Sequence, residues 1–112
     1  MEDEIMYKIK IMNEYLHGPI WVINSDGIPV WKYACIEEDA ILTQLNEKAM
    51  QMFSSYYEFD SHDSPCWFNH EKEKAEKDIM LDLITKIKKR LEEINDGSFE
   101  IEDLETDRLN SL

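Results

Sequence analysis

The sequence is poor in the residues that loop-rich, disulfide-bonded or membrane-spanning proteins need. Its 112 residues include only 3 glycines, 3 prolines and 2 cysteines, which excludes fibrous and low-complexity chains and a disulfide framework. No run approaches the roughly 20 apolar residues of a membrane-spanning helix. Three of the first four residues are carboxylates, where a secretory signal is basic. We therefore expect a cytoplasmic protein whose cysteines, Cys35 and Cys66, remain thiols.

Basic side chains are scarce as well. The 12 lysines and arginines stand against 25 aspartates and glutamates, and the net charge is −13 at pH 7. This charge repels nucleic-acid phosphates and anionic lipid headgroups, and the only basic run is residues 86–90. The same charge attracts basic macromolecules and accelerates the encounter with them. We expect no direct binding of nucleic acid or membrane. Either the partner is a basic protein or the charge serves solubility alone.

The apolar content is sufficient for one packed core. Hydrophobic residues make up 43% of the chain and aromatic residues 11%, too many for a disordered acidic tail. A chain of 112 residues has the length of one domain. We predict a single domain over residues 1–112, with frayed acidic ends at residues 1–6 and 104–112.

The first third of the chain has the patterns of short strands. In residues 7–12 apolar side chains alternate with Lys8 and Lys10, as in a strand with one buried face. A second β-rich run follows at residues 19–23 and ends at the tight-turn pair Asp26-Gly27. Residues 28–33 resemble a third short strand, which Pro29 weakens.

The period then changes to that of helices. An apolar stripe at three- and four-residue steps predicts a helix over residues 37–57. The stripe consists of Ile41, Leu45, Ala49, Met52, Phe53 and Tyr56. Residues 58–68 are expected to form a long loop. Asn69 is a good N-cap for a second helix, which Gly97 would terminate. Its stripe consists of Ala75, Ile79, Leu83, Ile84, Ile87, Leu91 and Ile94.

A final alternating run at residues 99–102 predicts a last strand. The predicted fold is α+β: a small, mostly antiparallel sheet with two helices packed on one face, in the order β-β-(β)-α-α-β. Matching alternation in the first and last strands would place Lys8 and Lys10 opposite Glu100 and Glu102. Cross-strand charge pairs of this kind contribute about 0.2–1 kcal/mol.

The region between the two predicted helices is the best candidate for a binding surface. Aromatic residues there flank three carboxylates, and aromatic anchors beside carboxylates suit a basic protein partner. The predicted partner-binding residues are Tyr57, Glu58, Asp60, Asp63 and Trp67. The alternative is that the rings of Trp67 and Phe68 merely cover the end of the core. Tyr56 lies on the helical stripe, and Trp21 and Trp31 lie on or beside strands, so these three are expected in the core.

Metal binding and catalysis are the less favoured alternatives. His62, Cys66 and His70 recur every fourth residue, with Asp60 and Asp63 nearby, and all are acceptable zinc ligands. That spacing is useful on a helix, however, and Pro65 argues against one. Either cysteine could in principle pair with a histidine as a nucleophile, but no activating turn or glycine-rich phosphate loop is present. We expect no metal, no cofactor and no catalytic residues.

The opening residues resemble a known family. Residues 8–15 read KIKIMNEY and are followed by Pro19-Ile20-Trp21 and the Asp26-Gly27 turn. This pattern is similar to that of small acidic bacterial proteins that include the immunity proteins of toxin systems, among them contact-dependent growth inhibition systems. Relatives commonly have Gly-Cys after the Glu-Tyr pair, where this chain has residues 16–18 as LHG. The resemblance covers mainly residues 7–27.

The resemblance implies an immunity protein that binds a basic toxin domain. Together with the acidic charge, it predicts a cytoplasmic inhibitor that forms a heterodimer with a cognate toxin, with a nuclease as the favoured class. The inhibitor would cover the active or substrate-binding surface of that toxin. The alternative is an acidic nucleic-acid mimic that occupies a host DNA-binding protein. Such a mimic would space its carboxylates along one face, whereas here they alternate with lysines in the second predicted helix.

Overall fold

The computed structural model describes residues 7–30, 33–61 and 64–112, and at residues 60, 61 and 64 the backbone alone. The predicted α+β fold is confirmed: strands and helices form a small mixed sheet, a separate hairpin and a helical layer. The strands are β1 (Tyr7–Ile11), β2 (Ile20–Asn24), β3 (Tyr57–Ser61), β4 (Ser64–Phe68) and β5 (Phe99–Asp103). The helices are α1 (Ala34–Glu37), α2 (Ala40–Ser54), α3 (His70–Ala75), α4 (Lys77–Ile94) and α5 (Thr106–Asn110).

The main sheet has the strand order β2-β1-β5, with β1 antiparallel to β2 and parallel to β5. The predicted pairing of charges is confirmed, since Lys8 lies opposite Glu100 and Lys10 opposite Glu102. The Lys8 ammonium is 3.4 Å from a Glu100 carboxylate oxygen. These side chains are 37–50% exposed, so water screens the pairs and their contribution to stability is small.

The predicted third strand is not formed over residues 28–30. Only one isolated bridge, between Ile23 and Pro29, continues the sheet there. Pro29 has no N–H to donate, so a regular ladder cannot extend through it. The segment still covers the edge of β2, because the Val30 N–H donates to the Val22 carbonyl at 2.7 Å. Trp31, within the predicted strand, lies outside the described residues.

The first helix, predicted over residues 37–57, is shorter in the structure, and a separate short helix, α1, precedes it. α1 ends at Glu37, and the Asp39 side chain caps a new helix by accepting a hydrogen bond from the Leu42 N–H at 2.9 Å. α2 then ends at Ser54, three residues before the predicted end. Ile41, predicted to lie in the core, is 50% exposed because the cap places it on the outer side of the first turn.

The second predicted helix also contains a break. Asn69 caps α3 as predicted, since its side chain accepts a hydrogen bond from the Lys72 N–H at 3.0 Å. Glu76 then leaves the helical conformation (φ −101°, ψ 8°) before α4 begins. The break shifts the phase of the buried stripe, so Met80 is buried and the predicted core residues Ala75 and Ile79 are exposed.

The core lies between the main sheet and the two long helices. Its fully buried members include residues of β1, α2, α4 and β5, so one face of the sheet carries both helices as predicted. An ion pair joins the helices at their edge, where the Arg90 guanidinium lies 2.7 Å from the Asp39 carboxylate. Hydrogen bonds from Arg90 lower the pKa of the Asp39 carboxyl. The buried hydrophobic residues of these four elements are Ile9, Ile11, Leu42, Ala49, Phe53, Met80, Leu83, Ile84, Ile87, Leu91 and Phe99.

The C-terminal residues are folded, so the expectation of a frayed end at residues 104–112 is wrong. α5 inserts Leu109 into the core with no exposed surface. Arg108 contacts two buried carboxylates, that of Glu73 at 2.7 Å and that of Glu105 at 2.8 Å. The ion pair between Arg108 and Glu73 thus holds α5 against α3, and the burial of Leu109 anchors α5 in the core. The other expected frayed end, residues 1–6, lies outside the described residues.

The second long helix ends earlier than predicted. α4 stops at Ile94, and Asn95 follows in an extended conformation. Gly97 does adopt a positive φ of 96°, but in the turn that leads into β5 and not at the helix cap. The Asn95 side chain accepts a hydrogen bond from the Gly97 N–H at 2.9 Å, which stabilises that turn.

Candidate functional site

The segment predicted as a loop over residues 58–68 is a two-stranded β-hairpin. β3 pairs antiparallel with β4, with Tyr57 opposite Phe68, Glu58 opposite Trp67 and Phe59 opposite Cys66. The sequence contains the corresponding pattern, because aromatic and acidic residues alternate from Tyr57 to Asp60. Pro65 is compatible with this structure, since an edge strand does not need every N–H of its ladder.

The hairpin register separates the predicted partner-binding residues. Residues directly opposite each other share a face, so Tyr57 and Phe59 lie on one face and Glu58 and Trp67 on the other. Trp67 is half-buried. Asp60 belongs to β3, and its side chain is not described; Asp63 lies outside the described residues. The predicted set is therefore not one contiguous patch.

An aromatic cluster attaches the hairpin to the body of the protein. The Phe68 ring lies 5.7 Å from that of Phe53 in α2 and 4.9 Å from that of Tyr57. Tyr56 is fully buried, and its hydroxyl donates to a Glu76 carboxylate at 3.0 Å. Tyr56 and Phe68 thus belong to the core or pack against it, as the alternative interpretation of the sequence held. Each aromatic pair of this cluster contributes about 0.5–1.5 kcal/mol to stability beyond the burial of its apolar area.

Three aromatic residues that reach the surface form a strip of neighbouring rings. We call Tyr15, Tyr57 and Phe59 the aromatic strip. The Tyr15 ring is 4.8 Å from the Tyr57 ring and 5.9 Å from the Phe59 ring. Tyr15 and Tyr57 are half-buried, whereas Phe59 is 54% exposed. A large aromatic side chain supported by two further rings and open to solvent has the form of a binding anchor.

A carboxylate borders the aromatic strip. Burial raises the pKa of Tyr57, and the negative charge of nearby Glu14 raises it further. Glu14 is exposed and its carboxylate accepts a hydrogen bond from the Tyr15 N–H at 2.7 Å. An aromatic surface beside an exposed carboxylate can receive the aliphatic stem and the charged head of a lysine or arginine.

Glu58 has a structural role in the hairpin. Its carboxylate accepts a hydrogen bond from the Asn69 side-chain amide at 2.9 Å. The Asn69 N–H donates in turn to the Tyr56 carbonyl at 2.6 Å, and the Asn69 side-chain oxygen caps α3. Asn69 therefore fixes the end of the hairpin to the start of α3. Glu58 lies on the face of the hairpin opposite the aromatic strip. Its hydrogen bond with Asn69 therefore stabilises the hairpin from that opposite face.

The sequence interpretation missed Tyr15 and Glu14 as members of the site. They precede Tyr57 by more than 40 residues, and no local period links them to the hairpin. A hydrogen bond from the Leu16 N–H to the Ser54 hydroxyl, 2.9 Å long, holds their turn against the end of α2. Contacts between segments so far apart follow from the tertiary fold and have no signature in either segment alone.

The residues considered for metal or nucleophile chemistry are dispersed where the structure describes them. Cys66 lies in β4, and His70 begins α3 and packs on the Phe68 ring at 4.7 Å. His62 lies outside the described residues. Among the residues that are described, no three His, Cys, Asp or Glu side chains are grouped so that they could hold a metal ion. Burial raises the pKa of the Cys35 thiol, which is opposite to the shift that activates a nucleophile.

The part of the chain that carries the aromatic strip has the larger net negative charge, because it contains few basic residues. Residues 11–71 contain ten carboxylates and two lysines, a net charge of −8, whereas residues 72–112 contain twelve carboxylates and eight basic residues. In the second part many of the charges are paired, as Lys86 is with Asp82 at 2.9 Å. The negative potential is therefore expected to be strongest around the strip and α2.

Within the described ranges, none of the helices combines the length and apolar character that a membrane crossing requires. Comparisons with protein-family models, with curated proteins and with solved structures found no match to this chain. The resemblance at residues 7–27 therefore remains a prediction.

Proposed function

We propose that this chain is an immunity protein that binds and neutralises a basic toxin domain, with a nuclease as the favoured class. The observation that carries the proposal is the aromatic strip, in which Phe59 is 54% exposed and packs on Tyr15, which in turn packs on Tyr57. Exposed aromatic anchors with rigid support are typical of the centres of protein interfaces. Burial of an aromatic ring of this size in an interface lowers the free energy relative to leaving it exposed to water.

The charge of the surrounding segment supports a cationic partner. Residues 11–71 have a net charge of −8, and a protein that grips phosphates must be cationic where it does so. Carboxylates presented at that surface compete with the nucleic acid for the same lysines and arginines. The proposal therefore places the inhibitor over the active or substrate-binding surface of the toxin, in a cytoplasmic heterodimer.

A protein partner is favoured over mimicry of a nucleic acid. A mimic needs carboxylates in an unbroken array with phosphate-like spacing, but on the main sheet Glu100 and Glu102 alternate with Lys8 and Lys10 of the neighbouring strand. Neutralised pairs of this kind interrupt the array. The aromatic strip, by contrast, offers apolar area, which protein interfaces use and phosphate mimicry does not.

Neutralisation sets demands on size and affinity. An interface of about 1,600 Å² is sufficient for a specific and stable complex. Protection of the host also requires slow release, which corresponds to a Kd at or below about 1 nM. A site of one exposed phenylalanine is too small for this alone, so the interface must extend along neighbouring surface.

The experiment combines capture with rescue of growth. The immobilised chain is exposed at low salt to a lysate of the cells that encode it, and captured proteins are identified by mass spectrometry. We expect a basic protein that stops growth when it is expressed alone and ceases to do so when it is expressed with this chain. Failure to capture a basic protein, or capture of one that is harmless on its own, would overturn the proposal.

A pair of variants assigns the effect to the aromatic strip. Phe59→Asp places a charge on the exposed anchor and should abolish both capture and rescue. Ile79→Asp is the matched control, because Ile79 is 60% exposed on α4 and belongs neither to the strip nor to the hairpin. Both variants should fold like the wild type, since both side chains are mostly in water. Equal capture by the two variants would contradict the role of the strip.

A further inference from the structure

A groove of about 400 Å³ opens on the molecule between β2 and α2. Its walls come from β2, from residues 28–30 beside it, from α1 and from the first three turns of α2. Most of the lining is apolar, including Val22, Val30 and Met50. The volume lies within the range of sites that hold a small ligand or a short stretch of peptide, about 300–1,000 Å³.

The aromatic wall of the groove is held rigidly. The Trp21 indole donates a hydrogen bond to the Met12 carbonyl at 2.9 Å, and the His17 ring stacks on it with 3.7 Å between ring centroids. The Asn46 side chain joins α2 to β2 by accepting a hydrogen bond from the Ile20 N–H at 3.1 Å. Gly18 allows this close approach, because a Cβ there would lie 2.6 Å from the Asn46 amide. A site formed in advance loses little entropy on binding.

The charged groups among the described lining residues of the groove are negative. Glu37 and Glu47 both contribute to its lining and both are exposed, and no lysine or arginine is among the described lining residues. The surrounding segment, residues 11–71, carries a net charge of −8. An apolar groove with carboxylates at its rim complements a ligand with an apolar body and a positive charge.

The groove and the aromatic strip are linked by a short stretch of chain. Tyr15 belongs to the strip and His17 to the groove, and Leu16 lies between them, 65% exposed and with a φ of 59°. A left-handed φ is uncommon for leucine and costs roughly 1–2 kcal/mol. Backbone strain of this kind occurs preferentially at binding sites. The turn at residues 15–17 thus connects a residue of the strip to a residue of the groove.

From this juxtaposition we propose that the groove binds an extended segment of the partner protein in which an arginine or lysine is flanked by bulky apolar residues. The apolar side chains occupy the space between β2 and α2, and the cationic side chain reaches Glu37 or Glu47. The inference rests on the proposed function for the identity of the partner. It supplies the additional interface area that the strip alone does not provide.

The test uses a synthetic peptide as the probe. Acetyl-Leu-Arg-Ile-Arg-Leu-amide is titrated into the ¹⁵N-labelled protein, and backbone amide shifts are followed by NMR. We expect shifts at groove residues such as Val22 and Thr43 and at least about tenfold weaker binding of the same peptide with citrulline in place of arginine. Equal binding of both peptides, shifts outside the groove, or self-association through the groove would overturn the inference.

Two variants of equal charge provide the control. Thr43 lines the groove and is exposed, whereas its neighbour Gln44 is exposed and is not among the lining residues. Thr43→Arg places a cation within the groove and should weaken binding of the arginine peptide at least about tenfold. Gln44→Arg changes the net charge equally and should leave the affinity within about twofold. Equal affinities for the two variants would contradict the inference.

The outcomes separate this inference from the proposed function. If a toxin is captured and neutralised equally well by wild type and Thr43→Arg, the groove is not part of the interface and the proposed function stands. If the arginine peptide binds as described but no toxin is recovered, the groove is a peptide-binding site and the proposed function is wrong. If Thr43→Arg loses toxin capture and Gln44→Arg retains it, the result supports the proposed function and the role of the groove together.

Discussion

Replacement of Arg108 by methionine should destabilise the protein strongly, because this arginine is the ion-pair partner of two carboxylates in the interior. Its guanidinium lies 2.7 Å from Glu73 and 2.8 Å from Glu105, whose side chains are only 3% and 2% exposed. Without the arginine, two negative charges remain buried next to each other. Removal of one partner from a buried ion pair costs about 3–5 kcal/mol.

This loss is large compared with the total stability. A chain of this length is stable by about 5–15 kcal/mol, so Arg108→Met should lose a substantial part of its free energy of unfolding. With an m-value of about 2 kcal/mol per M urea, the midpoint of unfolding should fall by about 2 M. The assay is urea denaturation at pH 7, followed by tryptophan fluorescence and by circular dichroism.

The control is an ion pair with a similar distance but with both partners exposed. Lys86 lies 2.9 Å from Asp82, and the side chains are 59% and 61% exposed. Lys86→Met should change stability by at most about 0.5 kcal/mol, because water screens the pair. The comparison isolates burial as the cause of the large effect.

Removal of the buried charges should rescue the arginine variant. Glu73→Gln and Glu105→Gln together, in the background of Arg108→Met, should recover at least about half of the lost stability. A variant Arg108→Met that unfolds at the wild-type urea concentration, or a triple variant that is less stable than it, would refute this reasoning.

Two further predictions concern the packing of α2. Asp39→Asn keeps a capping side chain but loses the ion pair with Arg90, and should cost about 1–2 kcal/mol at pH 7. The hydrogen bonds from Arg90 lower the pKa of Asp39 in the folded state, so the stabilisation is fully present above the unfolded-state pKa of about 4 and is lost as the pH falls through the folded-state pKa. The difference between wild type and variant in urea unfolding should therefore shrink as the pH is lowered below about 4. Gly18→Ala should destabilise more than Gly27→Ala in the same assay, since both positions have a positive φ but only Gly18 faces the Asn46 side chain, 2.6 Å from the added Cβ. Equal effects of the two alanine substitutions would show that backbone conformation alone, and not the contact with Asn46, requires glycine at position 18.

Local patterns were sufficient for the main sheet. The alternation around Lys8 and Lys10 predicted both the strand and its charged neighbours in β5, because register and side-chain period are coupled in a sheet. The parallel direction of β5 did not follow from alternation, which is the same for either direction. It follows from the path of α4, which returns the chain to the end of the sheet where β1 begins.

A break within the second predicted helix explains why the wrong residues were assigned to its buried face. The apolar stripe of the second helix predicted Ile79 in the core, but the break at Glu76 rotates the following turns and buries Met80. A stripe read across a break assigns the wrong face to the residues next to it, because the helical period is kept only within one continuous helix.

The candidate site was predictable only in part. The sequence indicated aromatic and acidic residues between the helices, and Tyr57 does lie on the surface there, beside the exposed Phe59. It did not indicate Tyr15 or Glu14, or the groove between β2 and α2. These depend on contacts between distant segments, such as the hydrogen bond from Leu16 to Ser54, and only the folded chain brings them together.

The central claim is that the negative surface around the aromatic strip recruits a cationic protein. The most direct measurement is the rate at which the chain associates with its captured partner as the NaCl concentration rises from about 20 to about 500 mM. Electrostatic attraction of this kind is screened by salt, so the association rate constant should fall at least about tenfold. An association rate constant that stays the same over this range would contradict the claim.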